Sequence, residues 1–358
     1  MSSPENIRQE YEHALEQHVP LIYGLPDDLA ILCLSKVPRQ FHHVLRCVSK
    51  RWSALLCSKE FSSCRSRQNL RETWIYAMCV NKYRVNCCYV LNPHPSSWHW
   101  KLLQRIPSEC MGREGMSFEA LGNKLFLLGG CSCQENPTNE VYSYDTSTEK
   151  WEKAARMPTA RCYFLSAALG NKIYVTGGLG MSSDASKSWD IYDYHSNNWS
   201  SYLDTSLIPD IVKSFIFEDK VYTIHNTWID RQYARVYDPS SRKWEDANQQ
   251  MSSCARGPTV VIQDTLYMLD ETYGTRLMMW QNEAKEWVPL GRLAQMLTKP
   301  PCQLVAVGSC IFIIGQKLST VVVDTEKSAQ VQGVLVGSSL VPKLDNDLSV
   351  ISCKTIAI

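Results

Sequence analysis

From about residue 74 onward, short runs of Val, Ile, Leu, Tyr and Phe alternate with clusters of Gly, Asn, Asp, Ser and Pro. That is the pattern of strands joined by tight turns. Upstream the spacing is helical. Leu25, Leu29 and Leu32 fall on one face behind Pro26, which suits a first helical turn. Asp27 and Asp28 favour the positive end of that helix, and Val37-Pro38 stops it. A second helix is predicted to carry Phe41, Val44, Leu45 and Val48, and a third Trp52, Leu55 and Leu56. Residues 1–20 predict a polar, amphipathic helix over 4–18, with Ile7, Tyr11 and Leu15 four apart; residues 59–71 predict a connecting helix ending at 66–71. Short helices over 21–65 make a thin core, so their apolar surface calls for cover from elsewhere.

The strand-rich region repeats itself. "LGNKLFLLGG" (121–130) recurs as "LGNKIYVTGG" (169–178), and Asp145 to Trp151, Asp193 to Trp199 and Asp238 to Trp244 are each six apart. Asn92 to Trp98 and Gln281 to Trp287 keep the interval, and Asp324 to Gln330 is a degenerate last member. The Asp-equivalent positions are 53, 48, 45, 43 and 43 residues apart, the period of a propeller blade. Clear units span 113–157 and 161–201, and degenerate ones 72–107, 213–251, 256–290 and 299–336. In each, the glycine pair permits close backbone approach, the Asp caps a turn, and Trp and Tyr wedge between blades, where one buried aromatic is worth roughly 1.5–3 kcal/mol. The first unit offers three strand candidates (73–79, 86–92 and 98–103). The last residues, 348–358, supply an orphan strand that would close the ring and remove its open edges.

The Gly-Gly, Tyr-Asp and Trp spacing resembles the kelch repeat, with Gly-Gly lost at 225–226, 270–271 and 315–316. Leu25-Pro26, Asp28-Leu29, Leu34, Val37-Pro38, Val48 to Trp52 and Leu55 together resemble the F-box, with Ser49 where that family most often has Cys. The whole is similar to plant F-box/kelch-repeat proteins of the Skp-interacting-partner group. The resemblance implies a small all-α F-box at 21–65 followed by an all-β kelch propeller over 72–358, six blades closed by the C-terminal strand. It further implies a substrate-recognition subunit of an SCF ubiquitin ligase. Leu25, Pro26, Asp28, Leu29, Leu34, Val37, Pro38, Val48, Trp52 and Leu55 would meet a Skp-family adaptor, and through it cullin and RING subunits, while the propeller binds an unknown protein substrate. A different reading is a kelch scaffold or cytoskeletal binder whose helices merely pack on the ring.

Charge narrows the partners. Lys and Arg total 37 against 36 Asp and Glu, so no overall field draws the chain to nucleic acid or an acidic membrane. Locally, residues 39–71 hold eight Lys or Arg against one Glu, which suits an acidic partner. The longest apolar run, 304–315, is below the ~18 residues a membrane span needs, and no signal peptide is recognisable. Fifteen cysteines without a CxxC point to a reducing compartment, the nucleus or cytoplasm.

Candidate ligand contacts are Arg113, Arg161, Arg256 and Lys299, each opening a blade after a Met-containing turn; Arg113, Arg161 and Lys299 lie 13 residues ahead of an aromatic on the next strand. Equivalent positions would converge on one mouth and favour an acidic or phosphorylated peptide. The alternative is that they bond loop carbonyls. Trp228, Tyr233 and Tyr273 could add stacking surface. His94 and His99 with Cys87 and Cys88 match no zinc spacing. No phosphate-binding loop, nucleophile elbow or paired carboxylates stand out, so neither cofactor nor catalysis is expected.

Overall fold

A computed structural model describes residues 20–94, 97–103, 106–132, 136–180, 185–203, 211–226, 232–248, 250–251, 257–272, 274–330, 333–334, 336–342 and 347–358. The helix predicted over 4–18, and Trp228, Arg256 and Tyr273, lie outside the described residues. The chain divides into two compact units, residues 1–72 with Ile358 and residues 73–357.

The first unit holds α1 (Asp27–Ser35), a 3-10 turn (Arg39–Phe41), α2 (His42–Arg46), α3 (Lys50–Leu56) and α4 (Lys59–Arg67). Pro26 stands at the N-cap of α1, one place before the first turn. Ser49 caps α3 by accepting from the Trp52 amide at 3.1 Å, and Ser58 caps α4 through the Phe61 amide at 3.2 Å. Each cap is worth about 1 kcal/mol. Leu34, Leu56 and Phe61 form the core, with Ile22, Ile31, Leu45, Trp52 and Leu55 packed around them. Arg65 is buried and binds α4 to the turns before and after it. Its guanidinium donates to the carbonyls of Ser35 (2.7 Å), Val37 (2.9 Å) and Leu70 (2.6 Å) and to Glu72 Oε1 (2.9 Å). A core this small thus leans on a charge-assisted network as well as on apolar packing.

Among the described residues the second unit holds six four-stranded antiparallel sheets plus a two-stranded ribbon. Blade 1 runs, from the axis outward, Leu348–Ala357, Thr73–Asn81, Asn86–Leu91 and Trp100–Leu102. Blades 2 to 6 take their four strands in chain order, beginning at Ser117, Leu165, Ile211, Thr259 and Gln303; in blade 3 the ribbon strand Leu179–Gly180 intervenes between the second and third. The last strand of the chain is therefore the innermost strand of the first blade. It pairs from Thr73↔Ala357 to Asn81↔Leu348 and buries Leu348, Val350, Cys353 and Ile356. Every inner strand touches the inner strand of both neighbouring blades, so the ring is closed.

Aromatics occupy the seams between blades. The Trp199 indole donates to the Ala155 carbonyl at 2.9 Å, Phe126 meets Tyr192 edge-on at 5.4 Å, and Trp100 donates to Thr320 Oγ1 at 3.1 Å across the closing seam. Turn aspartates behave as their spacing predicts. Asp145 accepts from the Ser147 amide at 2.7 Å and Asp238 from the Ser240 amide at 2.8 Å. The glycine pairs approach the chain that leads into the next inner strand. At Gly129, with φ +59, a Cβ would sit 2.5 Å from the Arg161 carbonyl oxygen. Blade 6 departs from the repeat: after Asp324 a helix, Thr325–Gln330, replaces the tight turn, and the outer strand runs Val336–Leu340. Position 330 is thus helical, which is why no Trp-equivalent stands there.

Candidate functional site

Two kinds of surface are available, an apolar face on the helical unit and the cavities of the ring. On the helical unit, Leu29 (45 % exposed), Leu32, Phe41, Val44 and Val48 (59 % exposed) face solvent. Pro26, Asp28 and Pro38 are exposed, and Leu25 and Val37 are half-buried. Leu34, by contrast, is buried in the unit's own core, where Trp52 and Leu55 also pack. The Trp52 indole donates to the Leu21 carbonyl at 2.7 Å, so this ring fixes the segment ahead of α1. Leu34 was expected to meet an adaptor but is covered from within, because the unit needs it to fill its core, whereas Trp52 and Leu55 pack against that core and stay half-buried. Asp27 accepts from the Leu21 amide at 2.7 Å and pairs with Arg51, leaving Asp28 outward. Leu32, Phe41 and Val44 extend the exposed face. The helical period already placed Leu32 with Leu29, so its exposure was within reach of the sequence.

Among the eight cations of this stretch, Arg39 and Arg65 are buried. His42 is buried too, edge-on to Phe61 at 5.5 Å, with Nε2 3.1 Å from the Val37 carbonyl oxygen. Loss of solvent, reinforced by Arg39 and Arg65 nearby, pushes it down to about 4, against the weaker opposing pull of the Val37 bond, so it is neutral in the folded unit at pH 7.

In the propeller, two of the arginines predicted to line one mouth, Arg113 and Arg161, are buried. Arg161 is 0 % exposed. Nη1 donates to the carbonyls of Gly177 (2.9 Å) and Ala185 (3.1 Å), and Nη2 to Ser188 Oγ (2.8 Å) and Asp190 Oδ2 (2.7 Å). Its expected role at a ligand mouth gives way to a brace within blade 3, because Asp190 is buried beside it and each charge needs the other. Arg113 is 7 % exposed and donates to Glu140 Oε2 at 2.7 Å. Lys299 is half-buried, in a left-handed backbone conformation after a short helix. Tyr233 is half-buried and stacks on His225 at 4.8 Å.

Around the axis a cavity of about 510 Å³ is lined by inner strands. Glu119, buried there, accepts from Ser166 Oγ at 2.5 Å and from Lys354 Nζ at 2.8 Å. The pair ties the closing strand to blade 2. A groove of about 400 Å³ between blades 3 and 4 is lined by Tyr174, Trp189, Tyr237 and Trp244. A third cavity, about 470 Å³, lies between blades 1 and 2 beside Arg113. Cys87 is half-buried and Cys88 buried; Cys88 packs on the Met78 sulfur at 3.4 Å. Burial pushes the Cys87 thiol up to about 11.

Comparison with known proteins follows the two units. The F-box domain family matches residues 22–63, and the FKB95 kelch-repeats domain family matches residues 76–303. The F-box/kelch-repeat protein SKIP4 of Arabidopsis thaliana is 40% identical over 346 residues, 96% of each chain. The F-box/kelch-repeat protein SKIP30 of the same plant is 24% identical over 307 residues, 82% of this chain and 83% of that one. Among solved structures, that of YjhT aligns with a TM-score of 0.53 at 15% identity, covering 70% of this chain and 91% of that chain, a likeness of fold.

Proposed function

Because the chain belongs to the F-box/kelch-repeat family, we propose that it is a non-catalytic substrate adaptor of an SCF-type ubiquitin ligase, its helical unit held by a Skp-family adaptor and its propeller gripping the target protein. The observation that carries the reading is the exposed apolar set Leu29, Leu32, Phe41, Val44 and Val48 on a unit whose core is already filled by Leu34, Leu56 and Phe61. Fully burying one such side chain is worth roughly 1.5–3 kcal/mol. Five of them, even at half that value, offset several kcal/mol of association cost. Exposed Lys50 and half-buried Arg46 and Arg51 add steering toward an acidic surface.

The test is co-purification of the full chain with a Skp-family adaptor. Val44→Asp with Val48→Asp places two charges on the exposed face and is expected to weaken the complex at least a hundredfold while the circular dichroism melt is unchanged. Undiminished binding by that double variant would refute the docking role. Leu34→Asp is the contrasting control, since it disrupts the helical core itself.

A further inference from the structure

Matching seams of the propeller are built from matching residues, and the seam between blades 3 and 4 lacks one of them. Between blades 2 and 3, Phe126 meets Tyr192 at 5.4 Å and Tyr192 meets Trp199 at 5.2 Å. The same places between blades 3 and 4 hold Tyr174, Tyr237 and Trp244, with Tyr174 6.1 Å from Tyr237 and Tyr237 5.2 Å from Trp244. A further aromatic closes the first of these seams. Tyr194, directly after the turn residue Asp193, lies across Gly122, where a Cβ would come within 2.9 Å of its ring, and its hydroxyl donates to Asn123 Oδ1 at 2.8 Å. In the second seam Pro239 follows the turn residue Asp238, and a Cβ on the matching Gly170 would meet nothing within 4 Å among the described residues. The place of a tyrosine stands open there.

The walls of this seam are also more aromatic. Trp189 stands where blade 2 has Val141, and its cross-strand partner Tyr202 where blade 2 has Ala154. Trp189 packs on Trp244 at 5.0 Å and on Tyr237 at 5.3 Å. Whereas Trp199 is buried, Trp244 is half-buried and Tyr202 exposed. The outcome is the groove of about 400 Å³, in the range of ligand sites, roughly 300–1,000 Å³. It opens along Ser200, Tyr202 and Leu203 of the edge strand of blade 3, where an extended chain finds backbone groups to meet. Its charge is unbalanced. Lys172 and Arg242, both exposed, line it against the single carboxylate of Asp193. Asp193 Oδ1 is already held by the amides of His195 (3.1 Å) and Ser196 (3.0 Å) and by the Ser196 hydroxyl (3.1 Å), with Lys172 beside it. Arg242 is the cation in excess, and its charge is felt at the Tyr174 phenol on the opposite wall. A bare anion suits Arg242 but leaves the rings wet, and an aliphatic chain suits the rings but not the cation.

We propose that the groove between blades 3 and 4 docks a tyrosine side chain of a partner polypeptide, in the place that Tyr194 takes one seam earlier, with an acidic residue beside that tyrosine meeting Arg242. Tyrosine carries both the ring for Tyr237, Trp244 and Tyr202 and a hydroxyl for the polar rim. The inference is independent of the ligase reading, because a groove on the propeller can hold a partner whether or not the helical unit holds an adaptor.

The experiment uses the full chain carrying 5-fluorotryptophan and follows the fluorine resonances of Trp189 and Trp244 while a capped hexapeptide, Ala-Glu-Tyr-Asp-Ala-Ala, is titrated in. Those two resonances should shift saturably while that of Trp151, in blade 2, stays in place. Replacing the peptide's Tyr by Ala should weaken binding at least tenfold, and replacing its Glu and Asp by Gln and Asn at least threefold. Arg242→Glu, at an exposed position, should erase the preference for the acidic peptide over its amide form. Pro239→Tyr supplies the ring from within, as blade 3 does with Tyr194, and should block the peptide at an unchanged or raised melting temperature. Tyr202→Ser, on the exposed outer strand, removes one wall without altering charge and should weaken binding at least threefold, a reading that stands even if Pro239→Tyr disturbs its turn. Equal binding of the Ala peptide, undiminished binding by Tyr202→Ser or by a stably folded Pro239→Tyr, or no saturable shift overturns the proposal.

Discussion

Asp190→Asn removes one charge from the interior of blade 3 while keeping the shape and hydrogen-bonding capacity of the side chain. In the folded protein Arg161 and Asp190 are both 0 % exposed and 2.7 Å apart, and Asp190 also accepts from Ser201 Oγ at 2.6 Å. Neutralising the carboxylate leaves a guanidinium inside the blade with only dipoles around it. Breaking a buried pair in this way costs about 3–5 kcal/mol. Set against a folding stability of roughly 5–15 kcal/mol for a protein domain, that is a large fraction of the whole. Burial pulls the Arg161 pKa below its ordinary value despite the partner. The assay is urea unfolding followed by tryptophan fluorescence, which reports on the propeller because ten of the 11 tryptophans lie beyond residue 73. Replacing both partners, Arg161→Met with Asp190→Leu, removes both charges but strands the carbonyls of Gly177 and Ala185 that Arg161 satisfied. At about 1–3 kcal/mol for each buried orphan, it recovers only part of the loss. An unfolding midpoint for Asp190→Asn within error of the parent protein would show that Arg161 is not a brace, and the inward assignment would fail.

Trp199→Phe deletes the indole bond to Ala155 across the seam of blades 2 and 3 and should cost about 1 kcal/mol, whereas Trp199→Ala should cost about 3–5 kcal/mol through the cavity it leaves; the same urea titration separates them. His42, neutral when folded, has its pKa lowered from 6.5 to about 4, so the folded unit binds fewer protons than the unfolded chain between those values. Its stabilising effect is therefore complete above about 6.5 and lost as the pH falls toward 4, a decline of about 3 kcal/mol that hydrogen exchange of α1 to α4 should report and that His42→Phe should largely remove. Removing residues 348–358 takes away the inner strand of blade 1 and should leave the chain insoluble on expression; a soluble, monomeric product with a native melt would contradict the closure. Gly315→Ala, a remnant of a glycine pair, would set a Cβ 1.9 Å from the Thr298 carbonyl oxygen, and the melting temperature should fall by several degrees through a strain of about 1–3 kcal/mol.

The repeat, the blade number, the closing strand and the helical segment were all legible in the amino-acid order. Strand and turn formation depends on residues a few places apart, so the six-residue Asp to Trp interval is a local instruction. The F-box resemblance likewise rests on spacing within forty or so residues, and the family comparison agrees with it. What the order could not decide was direction. Leu29 and Leu34 are both apolar and both in α1, yet one faces solvent and the other fills the core, because α3 and α4 arrive to cover only one side. Arg113 and Arg161 stand at matching places in the repeat, and their roles were set by carboxylates that strand pairing delivers, Glu140 to one and Asp190 to the other. Lys354 joins Glu119 across 235 positions of chain only because the ring closes. Periodicity fixes which elements form; burial and charge pairing belong to neighbours remote in sequence, and those exist only once the blades have assembled.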